Sequence, residues 1–158
     1  MKLNRFVKYW LPPILWMIFF FPVLNKFLGS PAIYRALLNV FRLFSPDVSA
    51  AAIEVPYIVI RKFIHFIEYA ILTLLMFRAF RGEGIKKWDL RWAIYSGVIT
   101  IGYGFLDEFL QTFIPTRNGS VFDSVINSAG ALFSLGIIGV KAKKKDNDEK
   151  NPCFAQKG

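Results

Sequence analysis

Hydrophobic positions fall along the chain in four long runs, each close to the roughly 20 residues an α-helix needs to cross the apolar core of a bilayer. The first, Tyr9 to Asn25, holds no charge between Lys8 and Lys26. Pro12-Pro13 opens it, where a first helical turn has N–H groups to spare, and Pro22 lies near its end. The second run covers about 57–80, opened by Pro56 and interrupted by His65 and Glu68. The third, about 92–114, is apolar as far as Leu106 and then carries Asp107, Glu108 and Gln111. The fourth, about 120–140, is uncharged after Asp123. This pattern predicts an all-α fold, an integral membrane four-helix bundle built by residues 1–140 as one domain.

The connection between the first two runs has a pattern of its own. Ser30-Pro31 reads as an N-cap followed by proline at the first helical position, and Ser45-Pro46 as a stop. Between them Arg35, Asn39 and Arg42 recur at helical spacing among apolar residues, which predicts an amphipathic helix over about 31–44 lying in the outer membrane interface.

Composition sharpens this picture and charge orients it. The 158 residues are 54% hydrophobic and 17% aromatic, which excludes a disordered chain, yet they carry a net charge of +9. Such a balance suits either a nucleic-acid binder with a large core or a membrane protein, and the positions of the charges decide between them. With the N-terminus placed in the cytoplasm, fourteen Lys and Arg fall inside against six outside. That bias places both termini in the cytoplasm and makes the excess a topology signal, so no nucleic-acid partner is expected. Residues 141–158 read as a basic, disordered cytoplasmic tail. The first run is long and no small-residue cleavage site follows it, so it reads as an uncleaved anchor in the plasma membrane. Trp10, Trp16, Trp88 and Trp92 are expected as interfacial anchors. One Cys, Cys153, permits no internal disulfide, and a single His excludes a Cys/His zinc site.

The polar residues inside the runs share faces. His65, Glu68 and Tyr69 stand at i, i+3, i+4; Gly104, Asp107, Glu108 and Gln111 follow the same rule; Ser120, Ser124, Asn127, Ala131 and Ser134 form a third stripe beside Asp123 and Gly130. At about 1.5 Å per residue, the ionisable groups all land in the outer half of the membrane, with His65 roughly 12 Å and Asp107 roughly 10 Å deep. Three unpaired, lipid-facing carboxylates at about 2.5–3.5 kcal/mol each would rival the stability of a whole domain, so Glu68, Asp107 and Glu108 require partners or water. Arg61, Lys62, His65 and Arg117 are the available partners. Because buried ion pairs add little net stability over apolar packing, a wet cavity open to the outside and used on a ligand is preferred to a purely structural network.

In chain order these residues read Lys62-x-x-His65, Asp107-Glu108-x-x-Gln111, Pro115-x-Arg117, Asp123, Asn127 and Gly130. The order and spacing resemble the VanZ-like family of bacterial membrane proteins over roughly residues 57–136. Thr116 stands where that family commonly has Gly, Arg61 where an acidic residue often precedes the Lys, and Ser134 where a second glycine often follows. The resemblance implies a role in the bacterial cell envelope and a link to low-level resistance to teicoplanin, a lipid-tailed glycopeptide. It implies no reaction and no cofactor.

Three functions are weighed on these residues. In the first, the cavity binds an amphiphile: a lipid-linked wall precursor, a membrane lipid, or the tail of a lipoglycopeptide antibiotic. Arg61, Lys62, His65, Gln111, Arg117, Asp123 and Asn127 would line it, the basic groups holding a phosphate or carboxylate. In the second, the protein is an enzyme on such a substrate, with His65, Glu68, Asp107 and Glu108 supplying acid–base groups. Glu68, Asp107, Glu108 and Asp123 are then the candidate ligands of a hard divalent cation. In the third, the same groups relay protons in transport; a four-span chain without an inverted repeat is small for that, a homo-oligomer could rescue it, and polar groups confined to the outer leaflet argue against a through-pathway.

Overall fold

The computed structural model describes residues 2–83, 88–113 and 121–150, and every regular element among them is helical. Three short helices occupy the N-terminal region: α1 (Lys2–Tyr9), α2 (Leu11–Leu15) and α3 (Phe21–Leu28), the last two separated by a π-helical turn at Trp16–Phe20. They are followed by α4 (Pro31–Phe44), a 3-10 turn at Ala50–Ile53, α5 (Glu54–Arg81), α6 (Leu90–Gln111) and α7 (Val121–Lys150).

Local chemistry accounts for most boundaries. The Ser49 side chain accepts from the Ala52 amide at the 3-10 turn, and Glu54 opens α5 where the positive end of the helix dipole favours it. α5 stops at Gly82, which has φ 55° and donates its N–H to the Arg78 carbonyl, the left-handed ending that glycine adopts without a Cβ penalty. Asp89 caps α6 by accepting from the Arg91 amide at 2.8 Å. In the first apolar run Pro22 has no N–H to give, so the register loosens into a π turn just ahead of it.

Several boundaries differ from those expected. The first apolar helical stretch is Leu11–Leu28, not 9–25, and it is jointed at the π turn. α5 starts at Glu54, ahead of the Pro56 expected to open it, because proline is tolerated in a first turn. α6 ends at Gln111, and residue 114 lies outside the described residues. The expectation of a disordered tail from 141 is corrected over 141–150, where α7 continues to Lys150. Five of those ten residues are Lys, a good helix former, and extending a helix avoids the penalty of nucleating one. Residues 151–158, with Cys153, lie outside the described residues.

Two stretches, Leu11–Leu28 and Val121–Lys144, are long and apolar enough to cross a membrane. α5 and α6, at 28 and 22 residues, have the length but are interrupted by polar side chains. Those side chains point inward. α5 packs mainly against α7 and then α6, and the interior of this three-helix core mixes Tyr69, Leu72, Met76 and Ala131 with buried Glu68, Thr73, Ser96, Thr100, Glu108, Gln111, Ser124, Asn127 and Ser134. The exterior is greasy, with Phe63, Val98, Phe109 and Phe133 all more than half exposed. A water-soluble protein distributes these classes the other way round.

Small and hydroxyl-bearing residues make that polar interior packable. A Cβ on Gly130 would run into the Phe66 carbonyl, so α5 and α7 cross in near backbone contact there. One turn on, the Ser134 hydroxyl donates to the Ala70 carbonyl of α5 at 2.9 Å. Thr73, Ser96 and Ser128 donate instead to carbonyls four residues back in their own helices, which satisfies each hydroxyl without water. Beyond this core, Trp10 packs edge-on to Phe80, and Phe77 stacks on Trp88 and meets Trp92 edge-on. Three of the four tryptophans thus form one aromatic layer at the C-terminal end of α5.

Candidate functional site

The polar residues gather at the opposite end of the three-helix core, around the first half of α5. Lys62 on α5 forms an ion pair with Asp123 in the first turn of α7, both side chains about one-third exposed. One turn deeper, His65 Nδ1 lies 3.3 Å from Glu68 Oε2, with Glu68 only 3% exposed. These are i, i+3 neighbours on one helix, so the spacing itself brings them together. On α6 the Gln111 amide donates to Asp107 at 2.5 Å, again within one helix, while Glu108 is buried one residue away.

A three-helix junction closes the floor of this cluster. Gly104 of α6 faces Tyr69 of α5 and Asn127 of α7: a Cβ there would stand 3.1 Å from the Tyr69 ring and 3.4 Å from the Asn127 Cβ. The missing side chain lets the tyrosine and the asparagine occupy the same level. Asn127 is 2% exposed, and neither its amide nitrogen nor its oxygen has a hydrogen-bond partner among the described residues. Leaving a buried amide unsatisfied costs about 1–3 kcal/mol, which sets Asn127 apart from buried polar side chains of this core such as Ser96 and Ser134, whose hydroxyls donate to carbonyls.

The expected site residues therefore fall into three groups. Lys62, His65, Glu68, Asp107, Glu108, Gln111, Asp123 and Asn127 lie on the facing sides of α5, α6 and α7. Arg61 is turned away from them: its guanidinium sits 5.7 Å from the Tyr57 ring, which packs edge-on to Tyr34 of α4. A residue one step along a helix points about 100° away, which separates the Cβ directions of Lys62 and Arg61. Arg61, expected among the ligand-holding cations, stands against Tyr57 in this arrangement. Arg117, with Pro115, Thr116 and Ser120, lies outside the described residues.

The carboxylates that are candidates for a metal do not form a three-ligand group among the described residues. Among the described residues no three His, Cys, Asp or Glu side chains converge on a point where an ion would sit. Asp123 is committed to Lys62, and Asp107 accepts from Gln111. What the arrangement offers is a rim of paired opposite charges over a buried acid, a histidine and an unsatisfied amide.

Tyr103 is a residue that sequence reasoning passed over. It lies between Gly104 and the apolar part of α6, its ring 6.3 Å from that of Tyr69, and its hydroxyl donates to the Met17 carbonyl in the π turn at 2.8 Å. Pro22, five residues after Met17, was the available signal, because a missing N–H leaves an acceptor that some donor must meet.

Compared with models of protein families, the chain matches VanZ/LLP1 over residues 9–142. No curated protein and no solved structure matches it.

Proposed function

The chain belongs to the VanZ-like family, and on that premise we propose that it is a four-span protein of the bacterial plasma membrane that binds an amphiphile at the outer ends of α5, α6 and α7. Both termini lie in the cytoplasm on this reading. The amphiphile is a lipid-linked cell-wall precursor, a membrane lipid or a lipoglycopeptide tail, and the family's association with teicoplanin resistance follows from binding such molecules.

Four spans are supported by the inverted distribution of polarity. α5 and α6 fall short in apolarity because of Glu68, Glu108 and Gln111, and these are buried against other helices, while the side chains they turn outward are apolar. A helix that hides its polar face in a bundle needs only a greasy exterior to span. α4, none of whose residues is buried and whose Leu43 and Phe44 are more than 80% exposed, fits a helix lying in the outer interface.

The observation that carries the ligand reading is the orphaned, buried Asn127 amide beneath the Lys62–Asp123 pair. Lys62, with Arg117 as the sequence's second candidate cation, would hold a phosphate or carboxylate, and Asn127 and Gln111 would meet neutral polar groups below it. The experiment is expression in a glycopeptide-susceptible bacterium, comparing a lipid-tailed with a tail-less glycopeptide. Protection against the tailed drug alone, lost in Asn127→Leu and Lys62→Ala at unchanged membrane abundance, supports the proposal. Protection that survives both substitutions removes it.

A second reading, a membrane-embedded enzyme, draws on the His65–Glu68 pair, since a carboxylate against an imidazole is how a general base is oriented. Incubation of the purified protein with lipid-linked precursor, with and without chelator, decides it by the presence or absence of product.

A further inference from the structure

At the other end of the bundle from the polar cluster, α1 and the residues just past α5 border a half-open hollow of about 270 Å³ lined by Asn4, Arg5, Lys8 and Glu83. We infer that this hollow is a binding site for the anionic phosphodiester headgroup of a membrane lipid. The inference rests on the membrane-bundle reading above only in that this end of the bundle reaches a membrane surface.

Charge comes first. Arg5 and Lys8 supply two cations to the hollow, and the carboxylate of Glu83 is already engaged, 3.1 Å from the Arg5 guanidinium. That contact orients the planar fork of Arg5, leaving its other N–H groups for a second acceptor. Arg78 adds a third cation nearby, with both its guanidinium and the Lys8 ammonium against the Tyr9 ring, at 5.7 and 5.1 Å. Tyr9 thereby holds two cations at one level, which raises the positive potential beside the hollow.

Size and surroundings select the lipid. The volume lies just below the about 300 Å³ at which pockets for drug-sized ligands begin, so it suits a headgroup with its chains outside. The chains have a route: Phe6, Val7 and Leu11, on the same short helices that carry or flank Trp10, are 38–51% exposed, and Trp10 packs on Phe80. A cationic hollow bordered by exposed apolar side chains and a tryptophan is how basic sites at membrane surfaces meet anionic lipids.

The test uses the purified full chain in detergent, with lipid adducts read by native mass spectrometry. Phosphatidylglycerol should bind at least about tenfold more tightly than phosphatidylcholine, and Arg5→Ala with Lys8→Ala should remove that preference. Lys141→Ala with Lys143→Ala, in the basic extension of α7, should leave it intact. Glu83→Gln frees Arg5 and should strengthen the adduct several-fold, a gain that misfolding does not produce. Equal binding of the two lipids, an equal loss in the α7 variant, or displacement of the lipid by millimolar glycerol 3-phosphate overturns the inference. Whether the protein stays in carbonate-washed membranes is scored separately and bears only on the membrane reading.

Discussion

The Tyr103 hydroxyl donates to the Met17 carbonyl across 2.8 Å, tying α6 to the π turn of the first apolar stretch. Pro22 explains why that carbonyl is available. An amide at position 22 would bond to residue 18 in α register or residue 17 in π register, and proline offers neither bond. The tyrosine supplies from a neighbouring helix the donor that the backbone lacks. Tyr103→Phe should therefore lower stability by about 0.5–1.5 kcal/mol, read as a lower unfolding midpoint in detergent. Pro22→Ala in that background should recover part of the loss by restoring a backbone donor.

Lys62 and Asp123 provide a test of pairing that position alone does not mimic. Lys62→Ala and Asp123→Ala should each destabilise the protein by about 1–3 kcal/mol, because each leaves a charge in a partly desolvated site. The exchanged variant, Lys62→Asp with Asp123→Lys, should recover most of the loss in thermal unfolding. Failure of the exchange to rescue would mean that the two charges act independently.

The crossing of α5 and α7 makes Gly130 the least replaceable of the described glycines. Gly130→Ala should cost about 1–3 kcal/mol, because the Phe66 backbone must move to admit a methyl group. Gly136, two turns along the same helix, has open space where a Cβ would stand, so Gly136→Ala should be neutral or stabilising by up to about 1 kcal/mol. Chemical unfolding of both variants in one detergent compares them directly.

Topology is open to cysteine labelling, since Cys153 is the single cysteine and Cys153→Ser gives a blank background. Asn39→Cys on α4 should react with a membrane-impermeant maleimide on intact cells. Lys143→Cys on the α7 extension should react only after permeabilisation. The reverse pattern would invert the proposed orientation.

Gln111 and Glu108 separate ligand contact from packing. Gln111→Leu should lower stability by about 1–3 kcal/mol, since it takes a donor from the Asp107 carboxylate, and should abolish the protection tested with the lipid-tailed glycopeptide at matched membrane abundance. Glu108→Gln should preserve both fold and abundance, and any loss of protection then reports the carboxylate itself.

The helices and the faces they bury were legible in the sequence because both depend on spacing along one chain. Apolar runs set the elements. The i, i+3, i+4 rule put His65 with Glu68 and Asp107 with Gln111, and the small residues marked the sides on which neighbours approach. The family was legible for the same reason, its motif being an order of residues within three helices.

What tertiary structure alone decided were the partners across helices and the fate of residues next to one another. Lys62 was one of several cations available to several carboxylates; the rotation of α5 against α7 gave it Asp123 and turned Arg61 to Tyr57. The same packing met the π turn with Tyr103, left the Asn127 amide without a hydrogen-bond partner among the described residues, and closed Arg5 onto Glu83, 78 positions apart in the chain. Periodicity fixes which side of a helix a residue occupies. Which helix it meets there depends on crossing angles and rotations set by the whole packed bundle, and no local run of residues contains them.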